Sequence, residues 1–270
     1  MKDKIVLITG STDGIGRQAA VELAALGGTI LIHGRDADRG KSAVEEIQTA
    51  TGNQNVDLFI ADLSSQRQVR RFAAEVSDRY HNLHVLINNA GVFMNDRQLT
   101  EDGVEMTFAV NYLAPFLLTN LLLDLLKQSA PSRVITVSSV AHTRGKLDFE
   151  NLQAEKSFGG YSAYALSKLA NVLFTFELAE RLRGTNVTSN CLHPGVIDTK
   201  LLRTGFTMAG GSTADGAETL IYLATSPDVE GTTGKYFQDK AEAPSSPTTL
   251  DATLRKNLWE KSEALTGLSG

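Results

Sequence analysis

Lys4-Ile-Val-Leu-Ile-Thr9-Gly10-Ser11-Thr12-Asp13-Gly14-Ile15-Gly16 runs from an apolar stretch into three glycines, and a helical pattern begins at once. Strand, turn and helix therefore follow one another without a spacer. Glycines lacking Cβ let the backbone approach a pyrophosphate closely, and the helix start supplies oriented N–H groups and a positive dipole end. The cradle would be Gly10, Ser11, Thr12, Asp13, Gly14, Ile15 and Gly16. The same glycines would serve a tight turn with only a packing role; the strand–turn–helix context weighs toward a bound dinucleotide.

Outward from this segment, short β-rich runs alternate with longer helical patterns almost to the end. Strands are expected at 4–9, 29–33, 56–61, 84–88, 133–138, 186–192 and, more weakly, 235–238. Helices are expected at 15–26, 38–51, 66–80, 111–127 and 161–182, with a terminal helix at 250–265. Continuous apolar strands such as Ile-Val-Leu-Ile are buried on both faces. The fold class is therefore α/β: a single-domain, Rossmann-like, doubly wound architecture over residues 1–270, with a seven-stranded parallel sheet flanked by helices. Glycine-containing segments at 141–160 and 200–213 lack periodicity and read as substrate loops.

Composition narrows the function classes. Hydrophobic residues are 42% and charged residues 21% of 270, which suits a folded chain with a sizeable core. A net charge of −5 without clustering argues against nucleic acid and against a polybasic membrane patch. The single cysteine, Cys191, excludes an intrachain disulfide and a multi-cysteine metal site. No apolar run reaches membrane-spanning length, so no membrane anchor is expected and the expected localisation is cytoplasmic. A small molecule is the expected partner, and no metal is.

The remaining candidate residues lie at strand ends, where ligands of such sheets bind. Arg35 follows the second strand at the place of an adenine ribose. A guanidinium there suits the 2′-phosphate of NADP, although Asp13 and Asp36 would repel it if they point inward. Asp62 and Leu63 end the third strand and could receive the adenine amino group; Asp62, or Ser64, could instead cap a helix. Asn88, Asn89, Ala90 and Gly91 suit close passage of a ribose, or a plain turn. The fifth strand ends in Ser138 and Ser139. The sixth ends in His193-Pro194-Gly195-Val196-Ile-Asp198-Thr199, which would close over a nicotinamide, with Thr199 reaching a phosphate or the carboxamide. His193 has no acidic partner spaced for a triad or metal site, and reads as structural. Tyr164 and Lys168, four apart, share one helix face. A cation beside a phenol favours the phenolate and lowers its pKa from about 10, which makes proton exchange with an alcohol or carbonyl feasible.

Thr9-Gly10-Ser-Thr-Asp-Gly14-Ile-Gly16, Asn88-Asn-Ala-Gly91 and Tyr164-Ala-Leu-Ser-Lys168 together resemble the motifs of the short-chain dehydrogenase/reductase family over nearly the whole chain. His33-Gly-Arg-Asp, Val-Ser-Ser139-Val, His193-Pro-Gly-Val and Gly-Lys235-Tyr-Phe are most similar to the retinol-dehydrogenase-like branch. The resemblance implies a tetrad of Asn111, Ser139, Tyr164 and Lys168. Ser139 would orient the carbonyl and Tyr164 would donate or accept the proton. Lys168 would lower the phenol pKa and hold the nicotinamide ribose, and Asn111 would bind a water leading to solvent. NADP(H) is implied over NAD(H). Ala114 and Pro115 replace residues common in that family, so the local helix kink is expected to differ.

The resulting expectation is an NADP(H)-dependent oxidoreductase transferring hydride between nicotinamide and a carbonyl or alcohol. Two alternatives stand beside it: a nucleotide-sugar epimerase or dehydratase, and a noncatalytic NADPH-binding regulator. Apolar faces on helices 111–127 and 161–182 could pair in a homodimer or homotetramer, or be core faces.

Overall fold

The computed structural model describes residues 1–268. The first half contains β1 (Ile5–Ile8), α1 (Gly14–Ala25), β2 (Thr29–Gly34), α2 (Ala37–Thr51), β3 (Val56–Ile60), α3 (Gln66–Arg79) and β4 (Val85–Asn88). Then come α4 (Met106–Phe108), a π-helical turn (Ala109–Leu113), α5 (Ala114–Leu121), α6 (Leu123–Gln128) and β5 (Ser132–Val137). The last part contains a 3₁₀ turn (Val140–Arg144), α7 (Gly160–Arg181), β6 (Val187–His193), α8 (Lys200–Gly205), α9 (Thr213–Thr225), β7 (Lys235–Gln238), β8 (Ala241–Glu242) and α10 (Ala252–Thr266).

All strands join one sheet in the order β3-β2-β1-β4-β5-β6-β7-β8. Strand order reverses between β1 and β4, which opens a crevice at the strands' carboxyl ends, above the glycine turn. Val6, Leu7 and Ile8 are fully buried because β1 lies inside the sheet, Val6 pairing with Ile30 on one side and Val85 on the other. Leu7 faces a core shared with α3, α5, α7 and α10, and Val6 and Ile8 face a second core under α1, α2 and α9. Alternation along one strand thus holds both helical layers.

Two expectations change. The sheet has eight strands rather than seven, because β8 folds back antiparallel on β7 through Asp239 and Lys240, both with positive φ. β8 has two exposed residues, too short to leave a periodic signal. The helix expected at 111–127 is broken into a π turn, α5 and α6. Pro115 has no N–H for the carbonyl of Asn111, and its ring crowds that carbonyl, so the preceding turn widens.

α10 is capped by Asp251 and carries Trp259 onto the two apolar helices. The indole lies 4.9 Å from the Phe116 ring and 5.9 Å from that of Phe174, with the Arg181 guanidinium 4.1 Å above it. This part of α5 and α7 is therefore core within the chain. The end of α10 is fastened to α3, where Gln66 donates to the Leu265 carbonyl and Arg70 to that of Thr266. Among the described residues no helix is long and apolar enough to cross a membrane.

Candidate active site

The glycine turn is built around contacts that admit no side chain. Gly10 and Gly14 have φ of +64° and +57°. A Cβ on Gly10 would lie 2.8 Å from the Ala90 Cα, and one on Gly16 would collide with the Asn89 amide and the Gly10 carbonyl. Asn89 ties its own loop to the turn, its Nδ2 donating to the carbonyls of Thr9 (2.9 Å) and Gly10 (3.1 Å). The Thr9 hydroxyl accepts from the Asn89 and Ala90 amides at 3.0 and 3.1 Å. Asn88, by contrast, points away to the Thr119 hydroxyl.

Behind the turn lies His33, whose importance the sequence did not signal. Its Nδ1 accepts from the Gly10 amide (3.2 Å) and its Nε2 lies 3.0 Å from the Ala61 carbonyl. Those partners require a neutral ring with the proton on Nε2. Its own amide donates to the Ser11 hydroxyl, which donates to the Ile8 carbonyl at 2.7 Å. Burial pushes the imidazole down to about 4, with the Ala61 carbonyl and Asp62 acting weakly in the other direction.

At the ribose end, both troublesome carboxylates are occupied. Asp36 caps α2 through the Arg39 amide, and Asp13 caps α1 and pairs with the Arg39 guanidinium at 3.0 Å. Arg35 is exposed and lines the same opening. Arg39, one turn into α2 and so not marked by the strand end, is a second cation there. The cap of α3 is Ser65 rather than Asp62 or Ser64; Asp62 accepts from the Ser64 amide and lines the cleft beside Leu63.

At the far end, β5, α7 and β6 converge. The Ser138 hydroxyl is spent on the Lys168 carbonyl (2.8 Å), whereas Ser139 caps the 3₁₀ turn and faces the cleft. Lys168 is buried, with Nζ 3.0 Å from the Val137 carbonyl and 5.5 Å from the Tyr164 ring centre. Burial lowers the ammonium to about 8. Tyr164 is pushed up to about 12, burial outweighing the opposing hydrogen bond with Ser139. The expected depression of the phenol is thus reversed, because desolvation of the buried ring outweighs the groups that favour the phenolate.

Asn111 lies just behind the cleft surface. Its Nδ2 donates to the Val92 carbonyl (2.9 Å) and the Ser167 hydroxyl (3.1 Å), and its Oδ1 accepts from the Val92 amide (2.7 Å). The side chain therefore ties the loop after β4 to α7. Pro194, Gly195 and Val196 follow β6, and Val196 and Asp198 bond the backbone of Gly211. Thr199 caps α8, and its methyl group sits over the glycine turn, 3.5 Å from where a Cβ on Gly14 would lie. The segment 200–213 is therefore not all loop: α8 occupies its first half. His193 is nearly buried, has no partner for Nδ1, and is pushed down to about 4, chiefly by burial.

One cleft of about 1270 Å³ joins these groups. The residues expected to bind or react line it except Ser11, Gly16, Asn88, Asn111 and Asp198; of these Ser11, Asn88 and Asn111 are buried. Among the described residues no cluster of His, Cys, Asp and Glu could hold a metal ion. The cleft fits a dinucleotide, with glycines where a Cβ would block the approach and with oriented amides at the start of α1.

The short chain dehydrogenase family model matches residues 4–209. Retinol dehydrogenase 14 of Mus musculus is 44% identical over 99% of this chain and 87% of its own length. Retinol dehydrogenase 11 of Homo sapiens is 42% identical over 98% of this chain and 86% of its own. A solved structure from Mycobacterium paratuberculosis superposes with a TM-score of 0.83 at 32% identity, covering 98% of this chain and 94% of that one. Another, from Shigella flexneri and complexed with NADP, has a TM-score of 0.75 at 26% identity, covering 89% and 98%. The chain belongs to the short-chain dehydrogenase/reductase family and is an oxidoreductase of the retinol-dehydrogenase-like branch.

Proposed function

We propose that the protein is an NADP(H)-dependent carbonyl reductase or alcohol dehydrogenase of the cytoplasm, with Tyr164 as its general acid and base. The observation that carries this reading is the single cleft that joins the glycine turn to Ser139, Tyr164 and Lys168. The bound nicotinamide would supply or accept the hydride. Gly10 to Gly16 would hold its pyrophosphate. Asn89 to Gly91, Pro194 to Val196 and Thr199 would line the path to the reacting end.

Tyr164, with a pKa raised to about 12, carries its proton at neutral pH and can donate it to a substrate oxygen during reduction. Lys168, at about 8, is mostly charged at neutral pH. It has donors beyond the one on Val137 for the ribose hydroxyls and for stabilising the phenolate left by proton transfer. The Ser139 hydroxyl orients the carbonyl. Both amide hydrogens of Asn111 are engaged and its Oδ1 accepts from the Val92 amide; its backbone carbonyl, for which Pro115 has no N–H, would hold the water that continues the relay to solvent.

Two observations support NADP(H) over NAD(H). Asp13 and Asp36 are held in caps and an ion pair, and Arg35 and Arg39 line the ribose opening. NADPH oxidation across aldehydes, ketones and quinones tests the reading. Turnover of some members is expected, and none across the panel would overturn it. Tighter binding of NADH than NADPH in a fluorescence titration would overturn the cofactor assignment alone.

A further inference from the structure

Apart from the two cores on the faces of the sheet, Phe93, Ala141, Tyr164 and Ala165 form a small apolar cluster against which Leu201 and Phe206 pack. All of these residues but Ala165 line the cleft. The Phe93 ring lies 5.7 Å from that of Tyr164 and 5.4 Å from that of Phe206. Phe206 stands edge-on to Tyr164 at 5.9 Å and to the half-exposed Tyr161 at 6.1 Å. Such edge-to-face arrangements are favourable and orient the rings.

Two glycines make this assembly possible. A Cβ on Gly205, at the end of α8, would come 2.6 Å from the Phe93 ring, and one on Gly160, at the start of α7, would strike the Met94 carbonyl and approach Phe93. Phe93 is therefore pinned between two helix ends. Phe206, next along the chain from Gly205, is carried to the phenol by the same contact. The other end of α8 is Thr199, above the glycine turn, so one short helix spans from the cofactor end to the reacting end.

We propose that Phe206 is a specificity-determining residue, setting how wide a group the carbonyl carbon can bear. The inference rests on the function proposed above: a substrate oxygen hydrogen-bonded to Tyr164 brings the carbonyl substituents alongside the ring that flanks the phenol. Phe93 is fixed by backbone contacts on both sides, whereas Phe206 is only partly buried. Shortening it removes bulk from the cleft wall while Phe93 continues to support Tyr164.

The test compares wild type, Phe206→Ala and Phe206→Leu with NADPH and a series of carbonyls from acetaldehyde to adamantyl methyl ketone. Phe206→Ala should raise kcat/KM for the widest ketone about tenfold and lower that for acetaldehyde roughly threefold, with Phe206→Leu intermediate. The gain should appear in KM. An equal fall in kcat for every substrate, or an unchanged preference, would overturn the inference, since a ring that only supports Tyr164 would act on all substrates alike. A second arm needs no turnover: binding of acetamide and adamantane carboxamide to the NADPH complex, measured by calorimetry. The wide amide should bind Phe206→Ala about tenfold more tightly than wild type. Equal affinity would sink the role of Phe206, whereas failure of wild type to reduce any carbonyl would sink the function and leave this arm to decide the wall.

Discussion

At the glycine-turn end of the cleft, Ile8, Thr9, Gly10, Ser11, His33 and Asn89 are joined by hydrogen bonds of 2.7 to 3.2 Å. At the Tyr164 end, Phe93, Tyr161, Tyr164 and Phe206 meet ring against ring at 5.4 to 6.1 Å. Hydrogen bonds are directional, and a buried partner left without its mate is costly, so the first end admits few exchanges. Apolar packing tolerates changes of shape if volume is filled. A constant cofactor and a variable substrate call for that division.

The largest expected effect separates the two ends. Tyr164→Phe should lower the rate of carbonyl reduction about 10³-fold while NADPH titrates as in wild type. A comparable loss of NADPH affinity would show that the ends are not independent. Next comes His33. Its folded pKa, about 4, lies below the ordinary 6.5 of the unfolded chain. Above pH 6.5 both states are neutral and His33 adds no pH dependence. As pH falls through 6.5 toward 4 only the unfolded state takes up the proton, so about 3 kcal/mol of stability is lost. Urea unfolding across that range should show a flatter loss in His33→Gln than in wild type; parallel curves would mean that His33 is not held neutral.

Gly16→Ala should cost about 2 kcal/mol of stability and weaken NADPH, because the new methyl meets the Asn89 amide that holds the turn. Calorimetry showing unchanged stability and affinity would imply that the turn can shift. The smallest effect is expected at Arg35. Arg35→Ala should weaken NADPH roughly tenfold and leave NADH alone, as loss of one charge-assisted contact does. An equal loss for both cofactors would move the phosphate contact away from this residue.

What the sequence made legible follows the same division. The glycine turn, Asn89 and the Tyr164–Lys168 pair were readable because their chemistry is local: a strand end, a tight turn and a single helical step. The seven parallel strands were readable from their apolar runs. His33 was not, since its partners lie in the glycine turn and at the end of β3, and only strand pairing brings them together. Phe93 and Phe206 lie more than a hundred residues apart, and nothing in spacing joins them before α8 folds over the cleft. The sign of the Tyr164 shift was hidden too. Spacing gave the cation, but burial decides the balance. The π turn at Asn111 was foreshadowed by Pro115, though only as a kink.

The bonds from Gln66 and Arg70 to the carbonyls of Leu265 and Thr266 span nearly two hundred positions. During synthesis α3 leaves the ribosome long before its partner exists, and Phe116 and Phe174 wait without the indole that will cover them. One layer of the sheet is therefore finished last, once residue 266 has emerged, and until then its apolar surface is open to chaperones or to neighbouring nascent chains.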